Sequence, residues 1–126
     1  MGGGEVRIYD SYFINNTASY VGGAIHEDGF TIVLERSSFF GNRAEVSSAV
    51  FATPSPSDAG SSITNCTFAL NTSTGGDGTT ITVDYHNDRT RMHITNNTIV
   101  YNSNPNTTRA ALYLYGPVNT FFGFEL

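Results

Sequence analysis

The stretch that decides the fold reads Phe13-Ile14-Asn15-Asn16, and its pattern recurs three times further along the chain. The copies read Phe39-Phe40-Gly41-Asn42, Phe68-Ala69-Leu70-Asn71 and Ile99-Val100-Tyr101-Asn102. Each copy has an aliphatic residue five positions before its first residue, namely Ile8, Leu34, Ile63 and Ile94. These aliphatic residues are 26, 29 and 31 positions apart. A constant motif with a variable period is typical of a solenoid whose insertions fall in loops.

Short strands are predicted on both sides of each motif, because apolar residues there alternate with others. Ile32 and Leu34 would point to one face of the first strand, and Val33 to the other. A second strand in each unit would turn its apolar residues inward, at Ile25, Val50, Ile81 with Val83, and Leu112 with Leu114. The composition is rich in Thr, Val, Ile, Phe, Tyr, Asn and Gly, which favours strands and tight turns over helices.

The sequence therefore predicts an all-β chain folded as a right-handed parallel β-helix of about four rungs. Residues 1–126 would form one domain, with rungs near 5–30, 31–60, 61–90 and 91–116. Residues 117–126 would form a cap or a truncated further rung. Stacking in register would create two structural ladders, Phe13, Phe39, Phe68 and Ile99, and Asn16, Asn42, Asn71 and Asn102. Asparagine suits a ladder because its amide both donates and accepts hydrogen bonds.

Charge and hydropathy exclude several partners. The net charge is −5 and the chain has no lysine, which argues against nucleic-acid binding. No apolar run of about 18 residues is present, so we expect no direct membrane insertion. The start of the chain, Met1-Gly2-Gly3-Gly4, lacks the features of a secretory signal. Cys66 is the single cysteine, which excludes an internal disulfide and a site of several thiolates.

The repeats resemble those of the polymorphic outer-membrane protein family and, more loosely, right-handed β-helix repeats in general. That family carries F-x-x-N and G-G-A-[ILV] motifs, and the first unit matches both, the second motif at Gly22-Gly23-Ala24-Ile25. The second and third units keep the first motif at Phe39 and Phe68. The second motif decays to Ser47-Ser48-Ala49-Val50 and Arg109-Ala110-Ala111-Leu112, and in the third unit a loop separates Gly75-Gly76 from Ile81. The resemblance implies a surface-exposed passenger region that serves adhesion. An extracellular or cell-surface location is therefore expected.

The outer face of the second strands is the candidate ligand surface. Its outward columns would combine aromatic and acidic side chains, namely His26, Phe51, Asp28, Asp84, Tyr113 and Tyr115, with Thr53 and Thr82 between them. Aromatic rings stack on sugars and carboxylates accept their hydroxyl hydrogens, so a polysaccharide or cell-surface glycan is the expected partner.

An enzyme is the alternative interpretation, as a fragment or small member of the carbohydrate-active β-helix lyases, hydrolases or epimerases. Asp28 and Asp84 would lie two rungs apart, roughly 9–10 Å at the usual strand spacing. This separation is at or beyond the upper limit for an inverting carboxylate pair. The chain also has no lysine to act as a lyase base. We therefore favour a non-enzymatic module and assign no catalytic residue.

No resident cofactor or metal site is assigned either; the clusters that combine imidazole and carboxylate groups suited to calcium or another divalent metal are His26-Glu27-Asp28 and residues 84–88. Short loops of these residue types are more often plain turns. A last expectation concerns the ends of the β-helix. Unpaired strand edges there would allow end-to-end self-association.

Overall fold

The computed structural model describes residues 4–54, 60–84, 92–107, 111–115 and 124–125. It contains fifteen short strands in these parts of the chain. In chain order they are β1 (Glu5–Tyr9), β2 (Tyr12–Ile14), β3 (Ile25–Asp28), β4 (Thr31–Glu35), β5 (Ser38–Phe40), β6 (Arg43–Ala44), β7 (Ser47–Thr53), β8 (Ser61–Thr64), β9 (Thr67–Ala69), β10 (Thr72–Ser73), β11 (Thr79–Asp84), β12 (Met92–Thr95), β13 (Thr98–Val100), β14 (Leu112–Tyr115) and β15 (Phe124–Glu125).

The strands form three stacked sheets and one short strand pair, and all the pairings are parallel. The first sheet has the order β1-β4-β8-β12-β15, the second β2-β5-β9-β13 and the third β3-β7-β11-β14, while β6 pairs with β10. Each sheet thus takes one strand from each successive rung. The chain is a parallel β-solenoid of about three turns, and the predicted fold class is confirmed.

Aromatic stacking runs along the interior of the second sheet. Phe13, Phe39, Phe68 and Ile99 are register partners on successive strands. The ring centroids of Phe13 and Phe39 are 4.8 Å apart, and those of Phe39 and Phe68 are 4.7 Å apart, with nearly parallel planes. Phe39 and Phe68 are completely buried. Full burial of such a side chain contributes about 1.5–3 kcal/mol, so this column is a major part of the core.

An asparagine ladder runs beside the aromatic column. The Oδ1 atom of Asn71 accepts the backbone N–H of Asn42 at 2.9 Å and its Nδ2 at 3.0 Å. In turn, Nδ2 of Asn71 donates to Oδ1 of Asn102 at 2.9 Å and to the carbonyl of Phe39 at 3.0 Å. Equivalent bonds to the aromatic carbonyl one rung earlier are made by Asn42 to Phe13 and by Asn102 to Phe68. Every bond in the ladder therefore joins two rungs.

Left-handed residues shape the two turns that flank the second sheet. At the first turn they are Asp10, Arg36, Asn65 and Asn96, and at the second they are Asn15, Gly41, Leu70 and Tyr101. Their φ angles lie between 49° and 64°. Asparagine and glycine adopt this conformation readily, whereas Leu70 and Tyr101 are unusual there. Packing between the rungs thus holds these two residues in a backbone conformation that is intrinsically unfavourable for them.

The Gly22-Gly23 pair is required by backbone packing. Gly22 has a φ angle of 62°. A Cβ atom on Gly23 would lie 2.1 Å from the carbonyl oxygen of Ser48 in the next rung. Any side chain at residue 23 would force these two rungs apart.

The C-terminal segment adds a strand to the first sheet. In β15, Phe124 and Glu125 are register partners of Ile94 and Thr95. Residues 116–123 and 126 lie outside the described residues, so the choice between a cap and a truncated rung for residues 117–126 stays a prediction.

Removing a ladder amide from the middle of the solenoid is expected to be costly. Asn71→Ala would leave the buried N–H of Asn42 without its acceptor and would remove the side-chain bonds to Phe39 and Asn102. We expect a loss of about 2–4 kcal/mol in the free energy of unfolding, measured by urea denaturation followed by circular dichroism.

Asn16→Ala is the matched control, since it makes the same change at the exposed end of the ladder. It removes a single side-chain bond to Asn42, and Oδ1 of Asn42 keeps the N–H of residue 16. A loss of about 1 kcal/mol or less is expected. Equal losses for the two variants would show that the inter-rung bonds do not stabilise the fold.

Candidate glycan-binding face

The third-sheet face, defined as the outer side of β3, β7, β11 and β14, carries the predicted ligand residues. His26 is the register partner of Phe51, Phe51 of Thr82, and Thr82 of Tyr113. In the neighbouring column Asp28 pairs with Thr53, and Asp84 pairs with Tyr115. Residues from four rungs are thus aligned on one face, although they are far apart in the sequence.

His26 and Phe51 form an aromatic pair on this face. Their ring centroids are 5.4 Å apart and the planes are inclined by 81°, an edge-to-face contact. His26 is exposed and Phe51 is half-buried. The pair therefore offers an accessible aromatic surface whose orientation is fixed by the register of β3 and β7.

Asp28 and Thr53 form a polar pair in the next column. The Thr53 hydroxyl lies 2.9 Å from Oδ1 of Asp28 and 3.1 Å from the carbonyl of Glu27, both of which can accept its hydrogen. Thr53 is buried and Asp28 is exposed. The buried hydroxyl holds the carboxylate in place, and the exposed carboxylate is accessible to a ligand hydroxyl.

Thr82 interrupts the outward column, and the expectation that it is accessible is wrong. Only 5% of Thr82 is exposed. Its hydroxyl oxygen lies 2.7 Å from that of Ser47 and 2.9 Å from that of Thr79. The cause is an irregularity between β7 and β11, where the register shifts between Thr79 and Ile81. The aromatic pair of His26 and Phe51 is consequently separated from Tyr113 by the buried, hydrogen-bonded side chain of Thr82.

Asp84 is half-buried and lies two residues after Thr82 on β11. Its Oδ1 atom is buried and makes no hydrogen bond to a residue that the structure describes. The Asp28 and Asp84 strands are separated by β7, so the carboxylates lie roughly 10 Å apart at the usual strand spacing. This arrangement does not bring the two carboxylates together around one bond or one ion. Residues 85–88 of the second predicted calcium cluster lie outside the described residues.

Sequence reasoning missed the burial of Glu27. This residue is the register partner of Ala52, which in turn pairs with Val83, so it occupies a core column. It is 4% exposed, and its Oε1 atom accepts the N–H of Phe30. The signal was present in the sequence, since Glu27 lies two residues after the inward-facing Ile25 and strand side chains alternate.

A cavity of about 320 Å³ adjoins this carboxylate at the β1 end of the solenoid. Its walls are formed by Val6, Ile25, His26, Glu27, Asp28, Phe30 and Ile32. The volume is at the lower end of the range for small-molecule sites, about 300–1,000 Å³. Most of the lining is apolar.

A second polar column was also missed, at the turn before the second sheet. The Oγ atom of Ser37 accepts the N–H of Ser11 at 3.2 Å, and Oδ1 of Asn97 accepts the N–H of Cys66 at 2.8 Å. Cys66 is 1% exposed, and its thiol lies 3.4 Å from the carbonyl of Thr64. The thiol thus has the place that a serine hydroxyl has in the first two rungs. The sequence contains a signal for this column, because each of its residues lies two positions before the aromatic residue or Ile99 of the repeat.

Within the described ranges, no three His, Cys, Asp or Glu side chains gather as a group that could hold a metal ion. The same ranges contain no helix with the length and hydrophobicity needed to cross a membrane.

Comparison with known proteins returns no relative. No family model, no curated protein and no solved structure matches this chain significantly.

The buried thiol predicts a difference in alkaline stability between the wild type and Cys66→Ser. Burial raises the pKa of Cys66 above its ordinary value of 9.0, although backbone groups of Ser37 and Thr64 oppose the shift. A raised folded-state pKa means that the stabilisation is complete below the ordinary pKa and is lost as the pH rises through the folded-state value.

At neutral pH we expect Cys66→Ser to have a free energy of unfolding similar to that of the wild type, because the hydroxyls of Ser11 and Ser37 already occupy this column in other rungs. Above pH 9 the wild type should lose stability faster than the variant, measured by urea denaturation at a series of pH values. Tyrosine ionisation is common to both proteins and cancels in the comparison. Parallel pH profiles would contradict the assigned burial of the thiol.

Proposed function

We propose that this chain is an extracellular or cell-surface β-solenoid module with an adhesive or structural role, which binds glycans through its third-sheet face. The F-x-x-N turns and the Gly22-Gly23 pair support an assignment to repeats like those of the polymorphic outer-membrane proteins. In this chain the last residue of the F-x-x-N motif is the asparagine of the ladder.

The observation that carries the proposal is the adjacency of two pairs in the first two rungs. The edge-to-face pair of His26 and Phe51 lies next to the hydrogen-bonded pair of Asp28 and Thr53. A sugar ring has an apolar face that stacks on aromatic side chains and equatorial hydroxyls that donate to carboxylates. The neighbouring columns supply both kinds of contact on a rigid sheet, so little ordering is needed on binding.

Electrostatics narrow the class of glycan. The chain carries a net charge of −5, and the exposed charged group of the two pairs is a carboxylate. A polyanionic glycan would be repelled by this charge, at least at low ionic strength. Neutral glycans are therefore the proposed ligands.

A carbohydrate-active enzyme is the second candidate, and Asp84 is the residue that favours it. Its buried Oδ1 atom, which makes no hydrogen bond to a described residue, is an acceptor that a substrate hydroxyl would satisfy. The distance to Asp28 is, however, at the upper limit for an inverting pair, about 6.5–9.5 Å. Binding without turnover is therefore the function that the geometry supports best.

Phe51→Ala tests the proposal on an array of immobilised glycans. We expect the wild type to bind neutral glycans. Phe51→Ala should lower the affinity by about tenfold or more, because stacking on the aromatic ring is lost. His26→Ala should weaken the same signals, and being an exposed position it is expected to fold normally. Affinities would be measured by surface plasmon resonance on the strongest ligands of the array.

Phe40→Ala is the control, since Phe40 is another outward-facing phenylalanine, 42% exposed on β5 in the second sheet. It should leave glycan binding unchanged. Equal losses for the Phe40 and Phe51 variants, or an array without any signal, would refute the glycan-binding face. Release of reducing ends or unsaturated products from the bound glycans would replace the binding function with the enzymatic one.

A further inference from the structure

Among the residues that the structure describes, the rung at the β1 end of the solenoid has a neighbouring rung on one side only. β1, β2 and β3 are the outermost strands of their sheets. Val6 is 42% exposed, whereas its register partner Ile32 in the second rung is fully buried. The cavity of about 320 Å³ lies at the same end, and Val6 and Ile32 both line it. Core positions of the first rung thus face solvent where another rung would bury them.

The asparagine ladder shows which hydrogen-bond donors would complete the rung at this end. In the second, third and fourth rungs, Oδ1 of the asparagine accepts an N–H and an Nδ2 from the rung before. Asn16 has the bonds toward the next rung, to Oδ1 of Asn42. Toward the open side it bonds to no residue among those that the structure describes. Its Oδ1 therefore lacks the two donors that every later member of the ladder receives.

The opposite end presents those two donors. β13 and β14 are the outermost strands of the second and third sheets. Asn102 accepts from Asn71 and donates to the Phe68 carbonyl. In Asn42 and Asn71 the backbone N–H and the second Nδ2 hydrogen are donated to the next rung. In Asn102 these two hydrogens have no acceptor within the described ranges. The two ends of the molecule are thus complementary in hydrogen bonding.

We propose that the β1 end of one molecule docks onto the β13 and β14 edges of a second copy of this chain. The asparagine ladder then continues from Asn102 of one molecule to Asn16 of the next. The occupant must supply a parallel strand, an amide donor pair at one turn and an apolar residue to lie on Phe13. The far end of this same chain carries all three, with Ile99 in the aromatic column.

The mode of association follows from the fact that the two surfaces differ. A head-to-tail contact between unlike surfaces does not close on itself unless the rotation forms a ring, so linear chains of molecules result. At the first sheet the last position is taken by β15, which pairs with β12 through only two residues. Docking must displace this short strand, so association is expected to be reversible and dependent on concentration.

The test uses the full chain in sedimentation velocity from micromolar to millimolar concentration, with electron microscopy of the concentrated sample. The wild type should form species larger than a dimer that lengthen as concentration rises and appear as unbranched rods. Val6→Lys should weaken association by about tenfold or more, because the lysine is solvated in the monomer and would lose most of its hydration in the assembly.

Leu70→Lys is the matched control, since it introduces the same charge at a turn residue in the middle of the solenoid that is 53% exposed. It should associate like the wild type. Three results would overturn the proposal: a monomer at every concentration, a closed dimer that does not grow, or equal weakening by Val6→Lys and Leu70→Lys. Circular dichroism of all three proteins establishes that each variant is folded, and none of these results depends on whether a glycan binds.

Discussion

The rest of the structure depends on one constraint, which is that a buried asparagine amide must be bonded to the rungs on both sides of it. Asn42 and Asn71 are completely buried, and leaving such a polar group unpaired costs about 1–3 kcal/mol. Their bonds reach both the next asparagine and the aromatic carbonyl one rung back. The bonds therefore fix the stacking register, the turn conformation and the direction of the solenoid together.

Fixed register explains how a ligand face can be assembled from distant residues. Because the ladder residues are in register in every rung, insertions between them leave the order of the strands unchanged. His26 therefore meets Phe51, and Asp28 meets Thr53, although each pair is separated by 25 residues. Where β7 and β11 fall out of step, the pairing of Val50 with Ile81 is kept and the shift is absorbed between Ser47 and Val50. The irregularity thus closes the outer face at Thr82 without disturbing the core.

The repeat was visible in the sequence because the aromatic and asparagine positions have a constant separation, and strand alternation then indicated which residues face outward. The burial of Thr82 was not predictable in this way, since it results from a register shift that brings Ser47 and Thr79 over it. Glu27 could have been assigned to the interior by alternation, but its polar character suggested a turn. Cys66 gave no periodic signal of its own, because the residues in its column are Ser11, Ser37 and Asn97 and share hydrogen bonding rather than residue type.

The placement of polar groups follows from the one-dimensional character of the fold. A rung in the middle is compressed between two neighbours, so its core column requires apolar side chains such as Ala52 and Val83. In the described part of the chain the first rung has a single neighbour, and there the same column accommodates Glu27 beside a cavity. A carboxylate in the middle of the column would lose its hydration without such space, at a cost of several kcal/mol. Within the described rungs, the carboxylate of this core column therefore lies at the β1 end, where His26 and Asp28 also lie on the outer face.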